Sequence, residues 1–273
     1  MNSVFDFSGA HVVVFGGTTG INLGIADAFA RAGAKVCVAS RKQENVDAAV
    51  RQLEAYGGKV IGLVADVRDF DAVGDAFATA HAAFGDINVL VSGAAGNFLA
   101  EAKQLSPNGF KAVVDIDLNG TFHVMRQAFP YLRQPGASII NITAPQAVIP
   151  MLGQIHVCAA KAGVDQVTKV LAIEWGKVGI RVNAISPGAI AATEGMRRLS
   201  PQGDDGAKMI LDLVPLGRMG TPQDVADLAL FLGSTQASYI SGAIIPCDGG
   251  GALESIKPSI ETAARELRKV NAA

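Results

Sequence analysis

The chain has 273 residues, a formal net charge of -2 and a pI near 6.1, so it is long enough for one large α/β domain and carries no basic field to attract nucleic acid or an anionic membrane. A hydrophobic content of 49%, 31 glycines and a mean hydropathy of +0.31 predict a well-buried interior, many tight turns and apolar surface left over for contacts between subunits. Cys37, Cys158 and Cys247 are odd in number and widely spaced, and read as reduced core residues. The segment from Met1 to Ser8 has no basic region or long apolar run, and no apolar stretch is of membrane length. A cytoplasmic protein is therefore expected.

Taken in chain order, His11 to Phe15 is an apolar run that reads as a first strand. Gly16-Gly17-Thr18-Thr19-Gly20-Ile21-Asn22-Leu23-Gly24 follows it and opens a helix from Gly20 to Ala32. Between a strand and a helix, such a turn places backbone N–H groups and the positive helix end where a dinucleotide's pyrophosphate binds. The second strand, Lys35 to Ala39, runs into Ser40-Arg41-Lys42, with no acidic residue for ribose hydroxyls. Cations at a helix beginning oppose the macrodipole, and the extra ribose phosphate of NADPH supplies a reason for Arg41 and Lys42; a solvated basic pair is the alternative.

Further on, Glu44 to Tyr56, Asp71 to Phe84, Pro107 to Leu132 and Gln154 to Gly176 have helical periodicity. Lys59 to Val64, Asn88 to Val91, Ser138 to Ile142, Ile180 to Ile185 and Ala243 to Ile245 are strand-like. Repeated β-α-β units with right-handed crossovers predict a Rossmann-like, doubly wound, seven-stranded parallel sheet with helices on both faces, as one domain over residues 1–273. Gly188 to Leu216 interrupts the rhythm after the carboxyl end of a strand, where a substrate lid is expected. Thr221-Pro222-Gln223-Asp224 has the cap, proline and acid of a helix start, and Ile256 to Ala273 reads as a C-terminal helix.

Ile155-His156-Val157-Cys158-Ala159-Ala160-Lys161 resembles the active-site helix of the short-chain dehydrogenases, where a tyrosine stands four residues before the lysine; here that place holds Val157. The family's serine, thirteen residues before the tyrosine, corresponds to Ala144. The glycine turn, Asn183-Ala184-Ile185-Ser186-Pro187-Gly188 and Asp248-Gly249-Gly250 extend the resemblance over nearly the whole chain. Within the family, Ala95-Gly96-Asn97-Phe98, Leu105-Ser106-Pro107-Asn108, Asp115-Ile116-Asp117, His156 before Lys161, and Thr193-Glu194-Gly195-Met196-Arg197-Arg198-Leu199 are most similar to the 2,4-dienoyl-CoA reductases, especially the peroxisomal type.

That resemblance implies reduction of a conjugated enoyl or dienoyl thioester with NADPH. It implies catalytic roles for Lys161, which holds cofactor and substrate, for Asp117, which handles a proton through water, and for Asn97, which assists. A structural helix aspartate and a turn-forming asparagine are the plainer alternatives for the last two. The implied cofactor contacts are Gly16, Thr18, Thr19, Gly20, Ile21, Asn22, Ser40, Arg41, Lys42, Asp66, Val67, Lys161, Pro187, Gly188 and Ile190, with Asp66 equally readable as a helix cap. Phe98, Arg197 and Arg198 are implied in substrate binding, and Lys208 shares the lid; solvated helix charge is the other reading of these basic residues. His156 and Cys158 read as core packing.

Three further places depart from the family pattern. Phe15 stands where a threonine is usual, Asn22 replaces the last glycine of the turn, and Ser92-Gly93-Ala94-Ala95 replaces an asparagine-rich turn after the fourth strand. A homotetramer formed through the long helices is expected from the family. Reduction of a ketone or 3-ketoacyl thioester is a second reading, although it lacks an acid at Val157 and neither Tyr131 nor Tyr239 is a credible stand-in. A catalytically silent nucleotide-binding scaffold is the third.

Overall fold

All five residues of β1 (His11–Phe15) are buried, and their side chains divide between two cores. Val12 and Val14 join one apolar cluster, Val13 and Phe15 the other, as the two-residue period of a strand covered on both faces demands. The computed structural model describes residues 5–199 and 211–254. Within them, seven strands form one parallel sheet in the order β3-β2-β1-β4-β5-β6-β7, with β2 at Lys35–Ser40, β3 at Val60–Val64, β4 at Val89–Ser92, β5 at Ser138–Ile142, β6 at Arg181–Pro187 and β7 at Ile244–Cys247. The expected sheet is thus present, with β6 and β7 each ending two residues later than the apolar runs suggest.

On one face, α1 (Gly20–Arg31), α2 (Gln43–Glu54) and α8 (Pro222–Gly233) cover Val36, Val38 and Ile140 with Ile25, Phe29, Leu53, Val225 and Leu230. On the other, α3 (Phe70–Phe84), α5 (Gly120–Ala128) and α6 (Ile155–Gly176) contribute Phe77, Met125 and the partly buried Trp175. The start of α8 is a capping box: Asp224 N donates to Thr221 Oγ1, and Thr221 N donates to Asp224 Oδ2. Hydrogen bonding from Arg218, with Thr221, holds the Asp224 carboxyl well below the usual carboxylate range. The cap before α3 is Asp69, whose side chain accepts from Asp71 N and Ala72 N. Asp66 does not cap it.

One expected helix is not continuous. The segment read as Pro107 to Leu132 divides into α4 (Pro107–Val114), a π-helical turn at Asp115–Asn119, α5 and a 3-10 turn at Phe129–Tyr131. The π turn accommodates an extra residue within helical backbone, a feature that often aims a side chain at a site. Asp117 lies at its centre, 1% exposed. Of the expected lid, residues 200–210, including Lys208, lie outside the described residues, as does the expected helix from Ile256 to Ala273. The short helix α7 (Glu194–Leu199) is described, although the side chain of Arg198 is not. Among the described residues, no helix is long and apolar enough to cross a membrane.

Candidate active site and cofactor cleft

Strand order reverses at β1: the chain adds β2 and β3 on one side of it, then crosses to add β4 to β7 on the other. A crevice forms above the carboxyl ends of strands at such a switch point. Here it is two adjoining cavities of about 770 and 810 Å³ that share Thr19, Asn22, Gly93, Gly96 and Asn97 as walls.

The first cavity is bounded by Gly16, Thr18, Thr19, Ser40, Arg41, Lys42 and Val67. Gly16 has φ +75°, and a Cβ there would lie 2.9 Å from Ala94 N, so this turn needs glycine for both conformation and space. Arg41 and Lys42 are exposed on the rim, with Lys42 at the extended cap position before α2. Asn45, one turn into α2, joins them as a wall that sequence reasoning missed; nothing in a solvated helix start marks it. Just beyond the end of β3, Ala65 and Val67 form the wall. The neighbouring Asp66 carboxylate receives Arg68 Nη2 at 2.5 Å and Arg68 Nε at 3.0 Å, and these hydrogen bonds lower its pKa.

The second cavity is lined by Gly20, Ile21, Pro187, Gly188 and Ile190, and on its inner side by Asp117, Val157 and Lys161. Asp117 and Lys161, 1% and 6% exposed, form an ion pair of 3.3 Å between Lys161 Nζ and Asp117 Oδ2. Lys161 Nζ also donates to Ile142 O at 3.1 Å, and Gly96 N donates to Asp117 Oδ1 at 2.7 Å. An ammonium has three N–H donors, and with one on Ile142 O and at most one turned to Asp117, at least one is left over among the described residues for a ligand in the cavity. Val157 is 3% exposed and cannot donate. Tyr131 stacks on Phe77 and Tyr239 is solvent-exposed, so neither reaches the place of the missing tyrosine.

Asn97 lines both cavities, and its Nδ2 lies 3.5 Å from Gln154 Oε1, which also accepts from Gln146 Nε2 at 3.0 Å. Gln146 and Gln154 were not among the expected site residues. Gln154 sits where the sequence shows only a helix beginning, and its 2% exposure and its contact with Asn97 are tertiary facts. Phe98 lines the first cavity and packs on His156 with ring centroids 4.5 Å apart. His156 is fully buried, as its core reading requires, and burial lowers its pKa; Cys158 is only half-buried. Met196 of α7 lines the second cavity, with Arg197 beside it in the chain.

A family model described as Enoyl-(Acyl carrier protein) reductase matches residues 16–251. A probable 2,4-dienoyl-CoA reductase [(2E)-enoyl-CoA-producing] of Bacillus subtilis is 41% identical over 243 residues, covering 88% of this chain and 95% of the relative. The peroxisomal 2,4-dienoyl-CoA reductase [(3E)-enoyl-CoA-producing] of Rattus norvegicus is 43% identical over 240 residues, covering 87% and 82%. Among solved structures, a short chain dehydrogenase from Bacillus anthracis superposes with a TM-score of 0.80 at 38% identity, covering 89% of this chain and 96% of that one. Sheet order, glycine turn and these matches over most of the chain agree, and the protein is a member of the short-chain dehydrogenase/reductase family, similar within it to 2,4-dienoyl-CoA reductases.

Proposed function

We propose that the protein is an NADPH-dependent reductase of conjugated dienoyl or enoyl thioesters. The observation that carries this reading is the buried Asp117–Lys161 pair in the wall of a cavity where Val157 stands in the tyrosine's place. Direct carbonyl reduction requires an acid beside the reacting oxygen, whereas reduction of a conjugated thioester can defer its proton, because charge spreads along the dienolate.

The first cavity suits a phosphorylated dinucleotide: the glycine turn opens α1 at Gly20, and Arg41 and Lys42 stand where a ribose phosphate would lie. Bound NADPH would supply the hydride. Gly16, Thr18, Thr19, Gly20 and Ile21 would hold its pyrophosphate side, Ser40, Arg41 and Lys42 its phosphorylated ribose, Val67 its adenine, with the Arg68-bound Asp66 adjoining, and Pro187, Gly188 and Ile190 its nicotinamide side, while Asn22 lies in the wall of both cavities. Lys161 directs its remaining N–H donor at cofactor or substrate hydroxyl and carbonyl oxygens. Asp117, kept in place by Gly96 N and Lys161, orients a water that returns the proton, with Asn97 as a further polar contact. Protonation at the α carbon of the dienolate leaves a 3-enoyl product, and at the γ carbon a 2-enoyl product.

Phe98, which packs on His156 in the wall of the first cavity, and Arg197 of α7 are assigned to the substrate on the family resemblance, Arg197 to the phosphates of coenzyme A; the Arg198 side chain and residues 200–210 of the expected lid lie outside the described residues. The whole chain acts as one domain in a reducing, cytoplasmic setting, which suits its three free thiols. A homotetramer is supported by Phe110, Phe122, Val170 and Ile173, large apolar side chains exposed on α4, α5 and α6. The test is NADPH oxidation with a short trans,trans-2,4-dienoyl-CoA, identification of the product, and the same assay on Lys161→Ala and Asp117→Ala. Turnover lost in both variants is the expected result. NADPH binding without turnover on any thioester would favour a silent scaffold, and turnover of a 3-ketoacyl thioester alone would favour carbonyl reduction.

A further inference from the structure

Two departures from the family pattern, Asn22 and Gly93, meet in space although they are 71 residues apart. Asn22 Nδ2 donates to Gly93 O at 2.7 Å. A Cβ built on Gly93 would lie 2.3 Å from Asn22 Oδ1 and 2.4 Å from Nδ2. The amide therefore occupies the space in which any side chain at Gly93 would have to begin. Because the Gly93 carbonyl is an acceptor, it requires the N–H end of the amide, which fixes Oδ1 as the other end. That Oδ1 is buried and has no protein partner among the described residues, and Asn22 is a wall of both cavities. A buried acceptor left unpaired is costly, so a donor arriving with a ligand has a place prepared for it. Phosphate oxygens carry no such donor; hydroxyl and amide groups do.

The strip that follows Gly93 joins the two halves of the site. Gly93 N donates to Phe15 O at 3.1 Å, and three residues on, Gly96 N donates to Asp117 Oδ1 at 2.7 Å. Asn22 thus grips the start of the segment whose far end grips Asp117.

We propose that Asn22 and Gly93 are one complementary unit, in which the Asn22 amide clamps the strip carrying Gly96 and Asn97 and its Oδ1 accepts a hydrogen bond from the nicotinamide-ribose half of the dinucleotide. Asn22 is then a positioning residue for Asp117 as well as a cofactor contact. The second clause rests on the nucleotide part of the proposed function and on none of its thioester chemistry.

The test is a cycle of Gly93→Ala, Asn22→Gly and the double variant, read by thermal melting of the ligand-free protein and by titration with NADPH and with adenosine 2′,5′-bisphosphate, which lacks the nicotinamide half. Gly93→Ala is expected to lower the melting temperature when Asn22 is present and to cost much less once Asn22→Gly has removed the atoms its methyl meets. Asn22→Gly is expected to weaken NADPH binding roughly tenfold, the worth of one buried hydrogen bond, and to leave the bisphosphate within about twofold. Equal thermal losses in both backgrounds, or failure of Gly93→Ala to fold even when combined with Asn22→Gly, overturn the clamp. Unchanged NADPH affinity, or equal weakening of both ligands, overturns the contact to the nicotinamide half. If the native protein binds neither ligand, the nucleotide reading fails with the contact, while the thermal cycle still decides the clamp.

Discussion

Replacing Lys161 by methionine keeps the length of an apolar stem and removes the charge that faces Asp117. At the observed 3.3 Å, the attraction is about 5 kcal/mol for an effective dielectric near 20. The desolvation of two buried groups offsets much of this, but that cost is not recovered when only one partner is deleted. Asp117 would keep Gly96 N and lose its counter-charge at 1% exposure, a situation that typically costs ~3–5 kcal/mol. For a chain of this size the melting temperature should then fall by roughly 6–20 °C. Asp117→Leu combined with Lys161→Met removes both charges, and the double variant should recover most of the loss without recovering turnover. Thermal melts and urea titrations of the two single variants and the double variant measure the coupling directly. Single variants that melt with the native protein, or losses that simply add in the double, would refute the argument that this is a buried, mutually dependent pair.

Arg41→Ala should weaken NADPH binding roughly 10- to 100-fold, the range for a charge-assisted hydrogen bond, and leave NADH affinity nearly unchanged; equilibrium titration with both nucleotides checks it. His11 predicts a loss of stability in mild acid. Its Nδ1 lies 2.7 Å from Gly85 O and its Nε2 3.2 Å from Cys37 Sγ, and burial, chiefly, lowers its pKa below 6.5 while it pushes the Cys37 thiol up. The folded state therefore prefers neutral His11, so this stability is present above pH 6.5 and is lost as pH falls through the lowered pKa. Urea midpoints between pH 8 and 5 should show that decline, with a shallower slope in His11→Gln. Ile173, 75% exposed on α6, should be covered in the oligomer; Ile173→Glu is expected to reduce the assembly's mass in light scattering while leaving far-UV circular dichroism unchanged.

The seven strands were legible because a sheet covered on both faces must be built from short, nearly continuous apolar runs, and Val12, Val13, Val14 and Phe15 admit no other economical burial. The glycine turn was legible for a similar reason: at Gly16 both the positive φ and the nearby Ala94 backbone exclude a side chain. The break at Asp115–Asn119 was not. Its residues continue a helical period, and only contacts from outside the helix, such as Gly96 N on Asp117 Oδ1, reveal what the π turn orients. Gln154 was missed because a polar residue before a helix is ordinary until its burial beside Asn97 is seen.

Sequence alone determined the parallel, doubly wound sheet, the position of the nucleotide turn, and the absence of the tyrosine and serine at Val157 and Ala144, since all three depend on local residue type and spacing. Tertiary structure alone decided which distant residues act together. Asn22 and Gly93 read separately as two unfavourable departures, yet the order that sets β1 beside β4 brings them within hydrogen-bonding distance, each filling what the other lacks. Asp117 and Lys161 lie on different helical segments and become a pair only after packing removes both from water. Local pattern fixes backbone geometry, but coupling between side chains depends on through-space distance and desolvation, which the packed chain alone defines.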